Sequence, residues 1–222
     1  MLDNKRFLQV ALDTPDLGEA LRIASLLSTN IGCENLIIEA GTPLIKSWGG
    51  IAVEMLKKTT ECIVFADTKT VDVGGLESRI VFDRGADIVS LLGVADNSTI
   101  QEAVSEAEKR GKLVAVDLIG VSNTVERTSE LIDLGVNIII YHVGIDVQKK
   151  RGITVDKLLD EIKTIIQKTK KKDVKYAVAG GLKPGRVGVF KDIGVDIVIV
   201  GSAITKSSDP VDVAKRIINE FV

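Results

Sequence analysis

No stretch of this sequence approaches the roughly 20 apolar residues a helix needs to cross a bilayer. Cysteine occurs only twice, at Cys33 and Cys62, with no C-x-x-C spacing and with apolar runs alongside. That pattern predicts reduced thiols at the edge of a core rather than a disulfide or a metal pair. A dominant charge is missing too. Twenty-nine basic residues face 31 acidic ones, so the basic footprint of a nucleic-acid binder is absent. The charged start, M-L-D-N-K-R, passes directly into a strand-like run, which predicts no secretory leader and a cytoplasmic protein. Aromatics supply only 4% of a chain that is 45% hydrophobic, which leaves Val, Ile, Leu and Ala to build the core. Such a core suits strands covered by helices.

What is present is a repeating unit. Short apolar, β-branched runs occur at Phe7–Leu12, Leu36–Ala40, Cys62–Ala66, Asp87–Leu92, Leu113–Ile119, Asn137–Val143, Val174–Ala179 and Asp196–Val200. Each is short enough for a strand and too continuous for a one-sided helix. Helical spacing fills the gaps, as in Thr99–Lys109, where Ile100, Ala103, Val104 and Ala107 share a face and Asn97 or Ser98 offers an N-cap. Gly32, Gly85, Gly135 and Gly194 precede strands and read as helix stops. Most strand starts are about 22 to 28 residues apart, one strand plus one helix with short loops. Strict alternation predicts a parallel sheet, and eight units in 222 residues favour a single closed (β/α)₈ barrel, residues 1–222. An open doubly wound sheet is the alternative, but the first strand leads into L-D-T-P-D-L rather than G-x-G-x-x-G. The polar stretch Asp146–Gly152 after the sixth strand is where a lid would sit. The basic run Lys168–Lys172 reads as a solvated helix end.

A barrel enzyme carries its chemistry at the C-terminal ends of its strands. Those ends hold Asp13, Glu39, Asp67, Lys69, Asp72, Asp117 and His142, several inside apolar runs where unpaired charge is costly. After strands seven and eight come Gly180-Gly181 and Gly201-Ser202. There, glycine lets backbone N–H groups approach an anion, and phosphate is the expected ligand; plain tight turns are the alternative. Glu39 and Asp67, on neighbouring strands, suit Mg²⁺, which takes oxygen ligands and keeps open positions. A salt bridge from one of them to Lys69 is the competing reading. Lys69, between Asp67 and Asp72, is expected to stay charged and act electrostatically rather than as a Schiff-base amine. His142 is the sole histidine; at the end of a buried strand it is placed to move a proton, although a lone histidine is often structural.

The segment Asp67-Thr68-Lys69-Thr70-Val71-Asp72 resembles the D-x-K-x-x-D signature of the orotidine 5′-monophosphate decarboxylase suprafamily. L-Q-V-A-L-D (8–13), I-E-A-G-T-P-L-I-K (38–46), L-G-V-A-D (92–96), H-V-G-I-D (142–146), A-V-A-G-G-L (177–182) and I-V-I-V-G-S-A-I (197–204) narrow the resemblance to its 3-hexulose-6-phosphate synthase branch, nearly end to end. The resemblance implies a homodimeric, Mg²⁺-dependent barrel that interconverts D-ribulose 5-phosphate plus formaldehyde with D-arabino-hex-3-ulose 6-phosphate. Carried over, Glu39 and Asp67 would hold the metal. His142 would move the proton that makes an enediolate, and Lys69 would stabilise it. Asp72 would reach the neighbouring subunit's site, and Asp13 and Asp117 would contact substrate hydroxyls or order the site. The sister 3-keto-L-gulonate 6-phosphate decarboxylases resemble this chain but carry arginines where it has Ile145 and Ser202. Orotidine 5′-monophosphate decarboxylases continue their signature differently from Val73-Gly74. A non-catalytic sugar-phosphate binder on the same barrel is the alternative of another class.

Overall fold

The computed structural model describes residues 2, 5–152, 154–169, 171 and 173–222. Met1, Asp3 and Asn4 of the charged start, and Lys170 and Lys172 of the basic run, lie outside the described residues. The apolar runs form eight strands: β1 (Phe7–Leu12), β2 (Leu36–Ala40), β3 (Ile63–Thr70), β4 (Ile88–Leu92), β5 (Leu113–Asp117), β6 (Ile138–His142), β7 (Lys175–Ala179) and β8 (Ile197–Val200). All pair in parallel in sequence order, and Phe7 of β1 faces Ile197 of β8, so the sheet closes into a (β/α)₈ barrel. That closure excludes the open sheet. Among the described residues no helix is long and apolar enough to cross a membrane.

Side chains alternate across a strand, so one set points into the barrel and the other toward the helices. The inward apolar set includes Phe7, Ala11, Ile37, Phe65, Ile88, Ala115, Ile138, Ile140, Ala177 and Ile197, which pack as one cluster. The outward set packs under the helices in a second, larger cluster. Two residues beyond an inward apolar residue, the next inward position is polar: Glu39 after Ile37, Asp67 after Phe65, Ser90 after Ile88, Asp117 after Ala115, and His142 after Ile140. The barrel is thus apolar below and ionisable at its C-terminal mouth.

The helices are α1 (Leu17–Ile31), α2 (Thr42–Trp48), α3 (Gly50–Thr60), α4 (Gly74–Phe82), α5 (Asn97–Glu108), α6 (Thr124–Asp133), α7 (Ile145–Arg151), α8 (Leu159–Thr169), α9 (Gly188–Asp192), α10 (Ser202–Thr205) and α11 (Pro210–Phe221). Three local expectations change. Asp96, not Asn97 or Ser98, caps α5, accepting from Ser98 N at 2.8 Å, because Asn97 and Ser98 are already inside the helix. The polar stretch 146–152 is helical as α7, stopped by Gly152 at φ 63°. Strand β3 runs on to Thr70, through the signature segment, where four steps of β3 (Ala66 to Thr70) match two of β4 (Val89 to Leu91).

Below the barrel a pattern repeats at every second strand. Asn35 Nδ2 donates to the Arg6 carbonyl, while Asp87, Asn137 and Asp196 accept from Val64 N, Val114 N and Tyr176 N, each at 2.9 Å. Each of these Asx side chains lies just before one strand and ties the strand that precedes it in sequence. Cys33 and Cys62 lie at this end too, and here the sequence expectation is overturned: they form a disulfide with Cα atoms 5.0 Å apart. Cys33 precedes β2 and Cys62 precedes β3. Because these neighbouring strands are parallel, their starts lie side by side despite a sequence separation of 29.

Asp87 is the most heavily used of these residues, held by Lys57 and Lys112 at 2.7 Å each. Burial pushes its carboxyl up, but Lys112, Lys57 and the Val64 N–H outweigh that and hold it below the usual carboxylate range. A depressed carboxylate stabilises the fold above its unfolded value, and that stability is lost as pH falls through the folded one. Asp87→Asn is therefore expected to lose about 1.5–3 kcal/mol at pH 7, the worth of hydrogen bonds to a charged group. The gap from wild type should close below about pH 4. Urea denaturation at pH 7 and pH 3.5 checks this; an equal loss at both would contradict it.

Candidate active site

The polar inward residues meet at the mouth. Lys69 Nζ lies 3.0 Å from Asp67 Oδ2 and 3.0 Å from Asp117 Oδ2. Asp117 Oδ2 is also 2.7 Å from His142 Nδ1, while its other oxygen accepts from Ile119 N at 2.9 Å. A continuous polar chain therefore runs from Asp67 through Lys69 and Asp117 to His142. Glu39, Asp67 and Asp117 are only 5%, 6% and 2% exposed. The salt-bridge reading holds for Asp67, whereas Glu39 accepts instead from Gln9 Nε2 at 2.6 Å.

Lys69 reaches inward because the extra β3 residues kink the strand, leaving Lys69 at φ 49°, in the left-handed region. Non-glycine residues rarely adopt that conformation, and it concentrates at functional sites. Ser90 holds it. The fully buried Ser90 hydroxyl donates to Asp67 Oδ1 at 2.7 Å and accepts from Lys69 N at 3.1 Å. Thr42 Oγ1, at the start of α2, donates to the other Asp67 oxygen at 2.7 Å.

The electrostatics follow from this crowding. Burial would lower the Lys69 proton affinity, but Asp67 and Asp117 overcome it and hold the ammonium charged well above its ordinary value. Burial would raise Asp117, yet the His142 bond and charge, Lys69 and the Ile119 N–H keep it below the usual range. Glu39 goes the other way. Burial, then the charges of Asp67 and Asp13, push it well above the usual carboxylate range against the pull of Gln9 and Lys69. Asp13, at the open mouth, is raised by loss of solvent and by Asp67. The same mouth therefore holds one cation and more carboxylates than that cation neutralises.

The glycines line the rim. Gly180 and Gly181 stand at φ 123° and 76° after β7. A Cβ on Gly180 would sit 2.6 Å from the Val143 carbonyl oxygen, so the loop closes down only with glycine there. Gly201 precedes α10 and lies against β1, where a Cβ would be 3.4 Å from Asp13 Oδ2. Gly181 and Ser202 are open to solvent. Asp72 is not among the assembled residues. It is exposed beyond β3, and its carboxylate accepts from its neighbour Val73 N at 2.8 Å.

The sequence profile of the orotidine 5′-phosphate decarboxylase / HUMPS family matches residues 6–217. The chain belongs to this family. Within it, a 3-hexulose-6-phosphate synthase from Mycobacterium gastri is 38% identical over 211 residues, 95% of this chain and 97% of that protein. A crystal structure of 3-hexulose-6-phosphate synthase, 37% identical, matches at a TM-score of 0.88 over 97% of this chain and 100% of the other. The structure of KGPDC from Streptococcus mutans is 28% identical with a TM-score of 0.86, covering 96% of each chain.

The charged residues of the Asp67–Lys69–Asp117–His142 chain stand at strand ends in the sequence, whereas the neutral side chains that fix the mouth carry no such mark. Gln9, Thr42 and Ser90 fix Glu39, Asp67 and Lys69, but a single Gln, Thr or Ser in or beside a buried strand carries no local mark of function. Their inward parity, two residues from an inward apolar neighbour, is the signal that could have exposed Gln9 and Ser90.

Proposed function

We propose that the chain is a Mg²⁺-dependent aldehyde-lyase that interconverts D-ribulose 5-phosphate plus formaldehyde with D-arabino-hex-3-ulose 6-phosphate. The observation that carries this reading is the Asp67–Lys69–Asp117–His142 chain, a proton-moving group coupled to a fixed cation in one mouth. With Nδ1 engaged by Asp117, His142 turns its other ring nitrogen to the substrate. That nitrogen takes the proton from C1 of ribulose 5-phosphate, and Lys69 stabilises the negative charge of the resulting enediolate. C1 then forms its bond to the formaldehyde carbon as the C2 carbonyl re-forms, and the former formaldehyde oxygen takes up the proton held by His142. Asp13 and Asp117 meet the substrate hydroxyls, and Gly180, Gly181, Gly201 and Ser202 receive the phosphate.

The donor set fits Mg²⁺. Glu39 and Asp67 would hold it; Glu39 and Asp13 are raised by burial and then by neighbouring carboxylates, and a hard dication would offset that repulsion. Among the described residues no group of three or more His, Cys, Asp or Glu is placed to hold a metal ion by itself. A site that keeps positions for water and substrate oxygens does not need one. When bound, the ion supplies positive charge to the substrate oxygens.

The enzyme works as a cytoplasmic homodimer, with Asp72 serving the partner's site. Exposed apolar side chains support the dimer: Val71 and Val73 flank Asp72, and Leu76 and Ile80 follow on α4. Trp48, Ile51 and Met55, on α2 and α3, are exposed as well.

Mixing ribulose 5-phosphate, formaldehyde and Mg²⁺ should consume formaldehyde. If formaldehyde persists while 3-keto-L-gulonate 6-phosphate releases CO₂, the decarboxylase reading replaces this one. Ile145 and Ser202, in place of arginines, argue against that outcome. Ligand binding with no turnover of either would leave a non-catalytic binder. For the metal, Mg²⁺ should raise the wild-type Tm and chelator should lower activity at least tenfold. Glu39→Gln should abolish the Tm increment, because binding the native state alone is what stabilises. Full activity of Glu39→Gln in chelator would remove the metal from the mechanism.

A further inference from the structure

We infer that Glu220, on the C-terminal helix α11, is a positioning residue that holds the β7 loop in its anion-receiving shape. The inference rests on the reading of that loop as the phosphate-binding one. The loop, residues 180–187, carries three glycines at positive φ: Gly180 at 123°, Gly181 at 76° and Gly185 at 82°. Glycine loses more conformational freedom on ordering than any other residue, so this loop needs external anchors. Its near end has them. Val155 N donates to the Gly180 carbonyl at 3.0 Å, and a Cβ on Gly181 would meet Thr154 Cγ2 at 2.5 Å and Gln148 Oε1 at 2.9 Å.

Its far end is anchored by Glu220. Glu220 Oε2 accepts from Gly185 N at 2.7 Å, and Oε1 accepts from both Val187 N and Gly188 N at 2.8 Å. Three backbone donors thus converge on one carboxylate brought from 32 to 35 positions along the chain. Such a nest of N–H groups has the chemistry of an anion site, and here the chain fills it with its own anion. The match is shaped on both sides. Gly188 admits the side chain, since a Cβ there would lie 3.3 Å from Glu220 Cγ. Burial opposes the charge on Glu220, but the three N–H groups and Arg216 outweigh it and keep the carboxylate ionised across the neutral range. Among the described residues Glu220 makes its hydrogen bonds to the loop's backbone and not to the site's charged residues. Its influence reaches substrate only through the loop.

A purely structural cap of α9 would predict that loss of Glu220 lowers Tm and leaves kinetic constants alone. A positioning residue predicts a split. In the full chain, Glu220→Ala should raise KM for ribulose 5-phosphate about tenfold with kcat within about twofold, the mark of lost uniform binding. Glu220→Gln, which keeps one good acceptor oxygen, should fall between. Hydrogen exchange of amides 180–188 should speed up in Glu220→Ala while the strands stay protected. Faster exchange with an unchanged KM would overturn the inference, as would kcat and KM following Tm alone. Binding of ribulose 5-phosphate and of inorganic phosphate, measured by calorimetry, separates this from the function itself. If wild type turns over no ribulose 5-phosphate but binds phosphate, and Glu220→Ala weakens that binding, the positioning role stands and the substrate reading falls. If wild type binds neither, both fall.

Discussion

Lys69→Ala is expected to cut turnover by about 10²–10³, the usual effect of removing one charge-stabilising donor. It should also destabilise the fold by about 3–5 kcal/mol, because breaking a buried pair leaves uncompensated charge. Both effects trace to one ammonium placed 3.0 Å from Asp67 and 3.0 Å from Asp117, carboxylates that are almost wholly buried. Alanine at φ 49° keeps the backbone strain of the wild type but loses the contacts of the long side chain. The pH dependence separates the charge contribution from the lost packing. Without Lys69, Asp117 binds its proton more tightly in the folded state, so acid neutralises the uncompensated charge. The stability gap from wild type should therefore shrink between pH 8 and pH 5. Urea melts at the two values measure this. A gap that does not change with pH would assign the loss to the missing side-chain packing instead. Lys69→Gln, which keeps most of the side-chain length, should show the same pH trend.

Asp117→Asn should lower kcat by about 10²–10⁴, the range for disabling a positioned proton-transfer group, with KM changing far less. Asp117 accepts from both His142 Nδ1 and Lys69 Nζ. Both side chains share Oδ2, while Ile119 N donates to Oδ1, so an amide must turn its N–H₂ either to the Ile119 N–H or to His142 and Lys69 together. If the N–H₂ takes the place of Oδ2, it opposes the Lys69 ammonium, and His142 is driven to the other tautomer and loses the orientation that Asp117 imposes. His142 is the one histidine in the sequence, so a ¹⁵N imidazole spectrum reports its tautomer without overlap. A variant with wild-type kcat and an unchanged imidazole spectrum would sink the role given to Asp117. Asp117 is 2% exposed, so a Tm measurement must accompany the kinetics to show that the variant is folded.

The charged half of the site was legible because of the two-residue period of a strand. Phe65 then Asp67, Ala115 then Asp117, and Ile140 then His142 each place an ionisable group one inward step above an apolar one. Burial of charge is costly, so its recurrence at strand ends already signalled a site. Local sequence was a poorer guide where a partner lay on a neighbouring element. Ser90, Thr42 and Gln9 look ordinary until pairing puts Ser90 beside Asp67, Thr42 above it and Gln9 diagonal to Glu39. Asp72, grouped with Lys69 by the signature spacing, stands apart from it because β3 ends between them.

By itself, then, the sequence determined the alternation of strands and helices, which strand ends carry charge, and the glycines of the last two loops. These are consequences of periodicity and residue chemistry within a few positions. Only the tertiary structure decided which charges touch, that Lys69 turns inward through a positive φ, that Cys33 and Cys62 bond, and that Glu220 reaches back to the β7 loop. Those facts depend on barrel closure and strand register, which bring residues separated by 20 to 48 positions or more into contact. No local pattern encodes such distances.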